Sequence, residues 1–230
     1  MSNPTSIRFA GLAFAGVLAL AVLQPVHAAK YRAAGAGETA DGEAVSGHVA
    51  AASGPAGRRG IHAGGTVTGP NGTTHASGGA VAGPDGVAAR ASHTTFGNDG
   101  SVQHQGVSGW KGVNGGSGSG QNSFVRNADG SAQSSHQNSG HTAAGGSYNS
   151  GGSYLRSTSG AVTGSAQTSA SGAKGSYNAN TVTANGVTTH NTTLTGAGGN
   201  SYQGQTTYSK GQGFTHTGTC KEASGNVIQC

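Results

Sequence analysis

Residues 68–87 read TGPNGTTHASGGAVAGPDGV, and this stretch decides the fold class. It holds two four-residue turn signals that end in glycine, Gly69-Pro70-Asn71-Gly72 and Gly83-Pro84-Asp85-Gly86. Proline presets φ for the second position of a tight turn, and glycine or asparagine accepts the positive φ that such turns need. The ten residues between the signals include Thr and Val, which favour strands. The stretch therefore predicts a β-strand between two tight turns.

The same turn signal recurs along the chain at intervals of 14 or 15 residues. The signals with Pro, Asn or Asp inside them predict turn glycines at Gly57, Gly72, Gly86, Gly100, Gly115 and Gly130. Weaker signals follow at Gly145, Gly160 and Gly175, and the interval then shortens through Gly186 and Gly199. The spacing predicts an all-β, glycine-rich repeat of short strands and tight turns.

Composition limits how such a repeat can be stabilised. The 230 residues include 45 Gly, and only 8% are charged. After residue 28, Leu, Ile, Val and Phe make up about one residue in ten, too few for an ordinary hydrophobic core. Two folded architectures fit: an antiparallel meander, which the Asn-Gly and Asp-Gly turns favour, or a β-solenoid with one coil per repeat. A chain with substantial disorder is the third interpretation.

The N-terminal segment has the pattern of a Sec-type signal peptide. Arg8 is the only charged side chain before Lys30, and an apolar run covers residues 9–23. Val26 and Ala28 suit the −3 and −1 positions of a cleavage site, so we predict a signal peptide at residues 1–28. The apolar run is shorter than the roughly 20 residues that span a bilayer, and no second run follows. We therefore expect a secreted or cell-surface bacterial protein, or a periplasmic one, without a membrane span after cleavage.

Composition divides the remaining chain into three segments. A low-complexity segment covers residues 29–53, the turn repeats cover 54–213, and a C-terminal hairpin covers 214–230.

The C-terminal hairpin contains both cysteines of the chain, Cys220 and Cys230. A three-residue loop at 224–226 would pair Ala223 with Val227 and set the cysteines opposite each other, within reach of a disulfide. Export makes oxidation of the pair expected, and the alternative is two free thiols that bind metal or link chains. We predict that this hairpin caps an edge of the sheet.

Histidines are the most conspicuous candidate ligands. Nine follow residue 28, and only His136 and His141 approach a metal-site spacing in sequence. In a solenoid, His48, His62 and His75 would stack in a column that binds a transition metal or changes charge near pH 6. The alternative is that all of them are exposed, polar strand residues.

Signals for other chemistry are weak or missing. The chain has no Gly-x-Ser-x-Gly elbow, no His-Glu-x-x-His pair and no Gly-x-Gly-x-x-Gly after a strand. Asp85, Asp99 and Asp129 each precede a turn glycine, where they form turns. Basic residues are scattered, so we expect no nucleic-acid binding. Because the motifs named above are missing, we also expect no catalytic residues and no cofactor. The tyrosines in the second half would stack on sugars or cover glycines on neighbouring strands.

Two functional hypotheses follow from these patterns. The first is a secreted structural or adhesive protein of an extracellular matrix, biofilm fibre or surface coat, which self-associates through β-edges in an amyloid-like manner. In style the chain is similar to secreted bacterial fibre and amyloid-subunit proteins, but it lacks a curlin-type repeat, and no family is assigned. The second is a monomeric extracellular module that binds metal through histidine, cell-surface glycan, or ice through Thr-x-Thr pairs.

Overall fold

Residues 30–230 of the computed structural model are described here, and they form one antiparallel sheet of 15 strands. The predicted signal peptide at residues 1–28 lies outside the described residues. One turn of 3₁₀ helix covers Pro55–Gly57. The strands are β1 (Lys30–Glu38), β2 (Ala44–Ser53), β3 (Arg59–Gly69), β4 (Gly72–Gly83), β5 (Gly86–Gly97), β6 (Val102–Gly112), β7 (Ser117–Arg126), β8 (Ala132–His141), β9 (Ser147–Arg156), β10 (Val162–Gly172), β11 (Gly175–Ala184), β12 (Val187–Gly196), β13 (Ser201–Ser209), β14 (Gly213–Lys221) and β15 (Val227–Ile228).

The order of strands in space follows their order in the chain. Each strand pairs antiparallel with the one before it and the one after it, and β1 and β15 form the two ends of an open sheet. The predicted meander is confirmed, and the solenoid alternative is wrong because the chain reverses direction at every turn. Residues 30–53, which composition separated from the repeats, form β1 and β2 of this same sheet.

Glycines with positive φ mark the turns. All the predicted turn glycines have it, with φ from 73° to 133°: Gly57, Gly72, Gly86, Gly100, Gly115 and Gly130. The weaker signals do too, at Gly145, Gly160, Gly175, Gly186 and Gly199. At Asn185 and Gly186, φ is 53° and 76°, which is the Asn-Gly type I′ turn typical of two-residue hairpins. Turn chemistry therefore sets the length of each strand.

The sheet is a single layer. Among residues 30–230 no hydrophobic side chain is buried, and the buried positions are the glycines Gly64, Gly106 and Gly116. The accessible surface is 15900 Å², whereas a compact monomer of 22.1 kDa exposes about 9,000–10,000 Å². Backbone ladders and cross-strand side-chain pairs, worth about 0.2–1 kcal/mol each, thus replace a core. In this part of the chain no helix is long and apolar enough to cross a membrane.

The C-terminal disulfide is confirmed, but the cap is only partial. Cys220 and Cys230 are bonded, with Cα atoms 5.2 Å apart. The strand β15 has two residues and pairs only with Cys220 and Lys221 of β14. On that side, residues 213–219 of β14 have no strand partner in the described chain. The prediction that the hairpin closes the sheet edge is therefore wrong over most of the strand.

The register of this hairpin also differs from the prediction. Val227 pairs with Lys221 instead of Ala223. The reason is that the Glu222 amide donates to the Asn226 carbonyl over 2.9 Å, so the turn takes the three residues between them. The turn therefore lies one residue earlier than predicted, and the residue opposite Cys220 is Ile228, two positions before Cys230.

Candidate functional site

The two faces of the sheet differ in chemistry. Successive side chains of a strand point to opposite faces, and directly paired residues share a face. Every Phe, Trp and Tyr side chain of the strands except Tyr31 lies on one side, which we call the aromatic face. Its aromatic members are Phe96, Trp110, Phe124, Tyr148, Tyr154, Tyr177, Tyr202, Tyr208 and Phe214.

Rings on the aromatic face lie across glycines of neighbouring strands. A Cβ atom built on Gly140 would lie 2.5 Å from Tyr148 Cε1, and one built on Gly218 would lie 2.8 Å from Tyr202 Cε2. Tyr208 and Phe214 are directly paired instead, with ring centroids 4.7 Å apart. Glycine-covering tyrosines were one of the two interpretations of the sequence. Rings that lie flat shield backbone that would otherwise be open to water.

Threonine and histidine form a recurring cross-strand pair on the aromatic face. In each case the Thr Oγ1 and the His Nδ1 of directly opposite residues are hydrogen-bonded, at 2.6–2.8 Å. The pairs are Thr66–His75, Thr94–His104, Thr181–His190 and Thr206–His216. Sequence reasoning missed them, although a signal exists. Once a turn is placed, residues equally far from it on either side are paired.

The structure does not bring together the predicted metal pair His136 and His141. They are five residues apart on β8, so their side chains point to opposite faces, about 17 Å apart along the strand. His136 is paired with Asn122 and Gly152, and His141 contacts Ser117 on the other face. The prediction relied on proximity in sequence. It is wrong because side chains alternate between the two faces of a strand, so two residues five positions apart cannot share a face. No group of three or more metal-ligating side chains forms within residues 30–230.

The three histidines proposed for a column separate into two environments. The His48 Nε2 and His62 Nδ1 atoms are 3.3 Å apart, across the hairpin of β2 and β3. His75 bonds instead to Thr66. A column does not form because a meander, unlike a solenoid, reverses every strand.

The opposite side, which we call the amide face, carries a row of uncharged polar groups along its middle. Its central row of directly paired residues consists of Gln121, Gln137, Gly151, Gln167, Asn180, Asn191 and Gln205. Gln121 Nε2 donates to Gln137 Oε1 at 3.0 Å, and Gln205 Nε2 donates to Asn191 Oδ1 at 2.8 Å. Hydroxyl pairs flank the row, as at Ser123 and Ser135. Amide ladders of this kind favour flat, stackable sheets.

Two turn aspartates have shifted titration. Asp99 Oδ1 accepts the Ser101 amide at 2.9 Å, and Asp129 Oδ1 accepts the Ser131 amide at 2.8 Å. Hydrogen bonds from the serine side chain and backbone lower the pKa of each carboxyl below its ordinary 3.8. These aspartates form turns, as the sequence predicted, and both are exposed.

Two open grooves cross the described sheet. One of about 680 Å³ crosses β1–β5 and is lined by Ala34, His48, Thr66 and His75. The larger groove, of about 1150 Å³, extends along β1–β9, and its lining includes Ile61 together with small residues and aromatic residues. Neither lining contains an Asp or a Glu, so neither groove holds the paired carboxylates that acid–base chemistry uses.

The Thr-x-Thr pairs do not form one plane. Thr66/Thr68 and Thr181/Thr183 lie on the aromatic face, on strands far apart, whereas Thr193/Thr195 and the run Thr215/Thr217/Thr219 lie on the amide face.

A scan against protein-family models and searches of curated proteins and of solved structures found no match to this chain.

Proposed function

We propose that this chain is a secreted structural protein whose copies add head to tail through their sheet edges, forming a fibre or coat at the bacterial surface. The single observation that carries the proposal is the pair of open edges. At one end the nine residues of β1 have no outer strand partner in the described chain, and at the other end neither do residues 213–219 of β14. Unpaired edges of this length are templates for another strand.

The number of strands makes the two edges compatible. Because every neighbouring pair is antiparallel, β1 and β14 run in opposite directions. A second copy translated along the sheet therefore sets its β1 antiparallel to the first copy's β14. Translation also keeps the aromatic face and the amide face on their own sides. Such a head-to-tail contact does not close on itself, so it extends into a filament.

The C-terminal hairpin gives this contact a register. Because β15 covers Cys220 and Lys221, an incoming β1 has seven residues of β14 left for pairing. Placing Ala34 opposite His216 continues the sheet's central row of paired residues on the aromatic face. This register also sets Ala36 opposite Phe214, so that large side chains meet small ones. We propose that the disulfide hairpin acts as a register stop for assembly.

A thin sheet gains from such assembly. Because residues 30–230 bury no hydrophobic side chain, this part of each chain depends on backbone ladders, and the two edge strands have only one ladder each over most of their length. Predicted cleavage after Ala28 leaves one residue ahead of β1, which keeps that edge accessible. The scarcity of rigid, buried positions supports a structural role over a catalytic one, because catalytic groups need a supporting shell.

The test is assembly of the oxidised mature chain, followed over days by sedimentation, electron microscopy and amyloid-dye fluorescence. We compare it with Gly35→Lys/Gly37→Lys, which places two charges on β1 where a new side chain meets no atom within 4 Å. The matched control is Gly109→Lys/Gly151→Lys, on the same face in interior strands, where a Cβ meets only a carbonyl oxygen, at 3.6 and 3.5 Å.

We expect elongated particles from the parent and the control, and monomers from the edge variant. A parent that stays monomeric at all concentrations would overturn the proposal. Equal assembly by the edge variant would overturn the assignment of the contact to β1.

A further inference from the structure

His48 and His62 form the one contact between two histidine side chains in the described part of the chain. His48 Nε2 and His62 Nδ1 are 3.3 Å apart, and the two rings are stacked with centroids 5.2 Å apart and planes inclined by 29°. Both residues are exposed, on neighbouring strands of the aromatic face. Two imidazole nitrogens are thus adjacent and open to solvent.

Glycines hold the two rings in this arrangement. Gly64 is directly paired with His48 and is buried, because the His48 ring lies on it. A Cβ atom on Gly64 would lie 2.9 Å from His48 Cε1. The His62 ring lies in the same direction over Gly79, where a Cβ would be 3.5 Å from His62 Cδ2. The His48 ring therefore leans over β3 toward His62, whereas His62 turns its Cδ2 edge to β4 and leaves Nδ1 on the side of His48.

The separation of the nitrogens matches a metal chelate. A tetrahedral zinc ion with Zn–N bonds of about 2.0–2.1 Å places two ligand nitrogens about 3.3–3.4 Å apart. Imidazole is a preferred ligand for Zn²⁺, Cu²⁺ and Ni²⁺. We propose that His48 and His62 together bind one divalent transition-metal ion, with zinc as the reference case. The ion takes one lone pair from His48 Nε2 and one from His62 Nδ1, and each neutral ring then carries its proton on its other nitrogen.

Within residues 30–230 the site has two protein ligands. Because no third metal-ligating side chain of that part of the chain lies beside the pair, solvent fills the remaining positions of the ion. Arg32 and Arg90 lie two strands away on either side of His62, in its own row of paired residues. At about 10 Å their charges are largely screened at physiological ionic strength. The expected site is open and exchangeable, and it does not depend on the proposed assembly.

Zinc titration of the mature, oxidised chain by calorimetry tests the proposal. We expect one Zn²⁺ per chain in the parent, and loss of that binding in His48→Gln/His62→Gln, where glutamine keeps a polar side chain of similar reach. Gly64→Ala retains both ligands but displaces the His48 ring, and we expect affinity to fall by about tenfold or more. Assembly is measured separately on each variant, so a failed fibre does not obscure the titration.

The control is His136→Gln/His141→Gln, which removes the pair that spacing in sequence would choose. We expect its zinc affinity to match the parent. A second readout needs no variant: histidine ring signals of His48 and His62 in the parent's NMR spectrum should shift with added Zn²⁺ before those of His136. Unchanged zinc binding in His48→Gln/His62→Gln, or ring shifts confined to other histidines, would overturn the proposal.

Discussion

Trp110 and Tyr148 both reach over Gly118, although two strands lie between their own. A Cβ atom on Gly118 would lie 2.5 Å from Trp110 Nε1 and 3.0 Å from the Tyr148 hydroxyl oxygen. Gly118 and Gly140 are directly paired between the two aromatic residues, so the rings approach each other across a strip of bare backbone. In a sheet without a core, rings that lie over bare backbone take the place of hydrophobic packing.

Filling that strip should destabilise the sheet. Gly118→Val inserts a branched side chain where both rings lie, and we expect a loss of about 1–2 kcal/mol in the free energy of unfolding, at the lower end of overpacking costs because the rings can move outward. Urea unfolding followed by tryptophan fluorescence and circular dichroism measures it. The control is Gly109→Val on the adjacent strand, where a Cβ meets only a carbonyl oxygen at 3.6 Å. Valine favours strands, so this control should be neutral or stabilising.

The turns were the part of the fold that the sequence could predict. Pro, Asn, Asp and Gly have local backbone preferences, so a four-residue window is sufficient to recognise a turn such as Gly83 to Gly86. The strand lengths follow from those windows, whereas the antiparallel order was one of two folded architectures that the windows allowed. Even the signals judged weak, such as Gly145 and Gly160, mark real turns. The fold class of this chain is predictable despite its few hydrophobic residues, because its turns recur at regular intervals.

The contacts between side chains were harder to predict, for physical reasons. Metal-site spacing in sequence selected His136 and His141, but strand alternation separates them. The pair that does meet, His48 and His62, is 14 residues apart and depends on the hairpin register and on bare backbone at Gly64. At the C-terminus, the turn lies one residue earlier than predicted, which shifts the register by two residues. Each of these contacts depends on register, which a turn signal alone leaves open.

The turn glycines should differ in how much a side chain costs. Gly100 has φ of 82° and open space around a Cβ, so Gly100→Ala should cost about 1–2 kcal/mol from backbone strain alone. Gly86 has φ of 133°, and its Cβ would also clash with the Lys111 carbonyl oxygen and lie 2.8 Å from Gly112 Cα. We expect Gly86→Ala to cost more than Gly100→Ala in urea unfolding. Equal costs would mean that the interstrand contact at Gly86 relaxes freely.

The turn aspartates should make stability depend on acid pH. The pKa values of Asp99 and Asp129 are lowered in the folded chain. Their contribution to the free energy of unfolding is therefore present above pH 3.8, the ordinary pKa, and is lost as the pH falls through the lowered pKa values. The variant Asp99→Asn/Asp129→Asn keeps an oxygen that accepts the serine amide but cannot titrate. We expect unfolding free energy to fall less in this variant than in the parent between neutral and strongly acid pH. A parent and variant with parallel pH profiles would contradict the assignment.

Reduction of the disulfide should loosen one end of the sheet rather than the whole. Closing a loop of this length stabilises by about 2.5–3 kcal/mol on chain-entropy grounds. However, β15 pairs with only Cys220 and Lys221, so the hairpin can open while the other strands stay paired. In Cys220→Ser/Cys230→Ser we expect amide exchange to rise strongly at residues 222–230, with a smaller rise across β14 and little change at β8. Reductant should reproduce this pattern in the parent and add nothing in the variant. If protection falls equally in β8 and β14, the sheet opens as a single cooperative unit and the hairpin stabilises all of it.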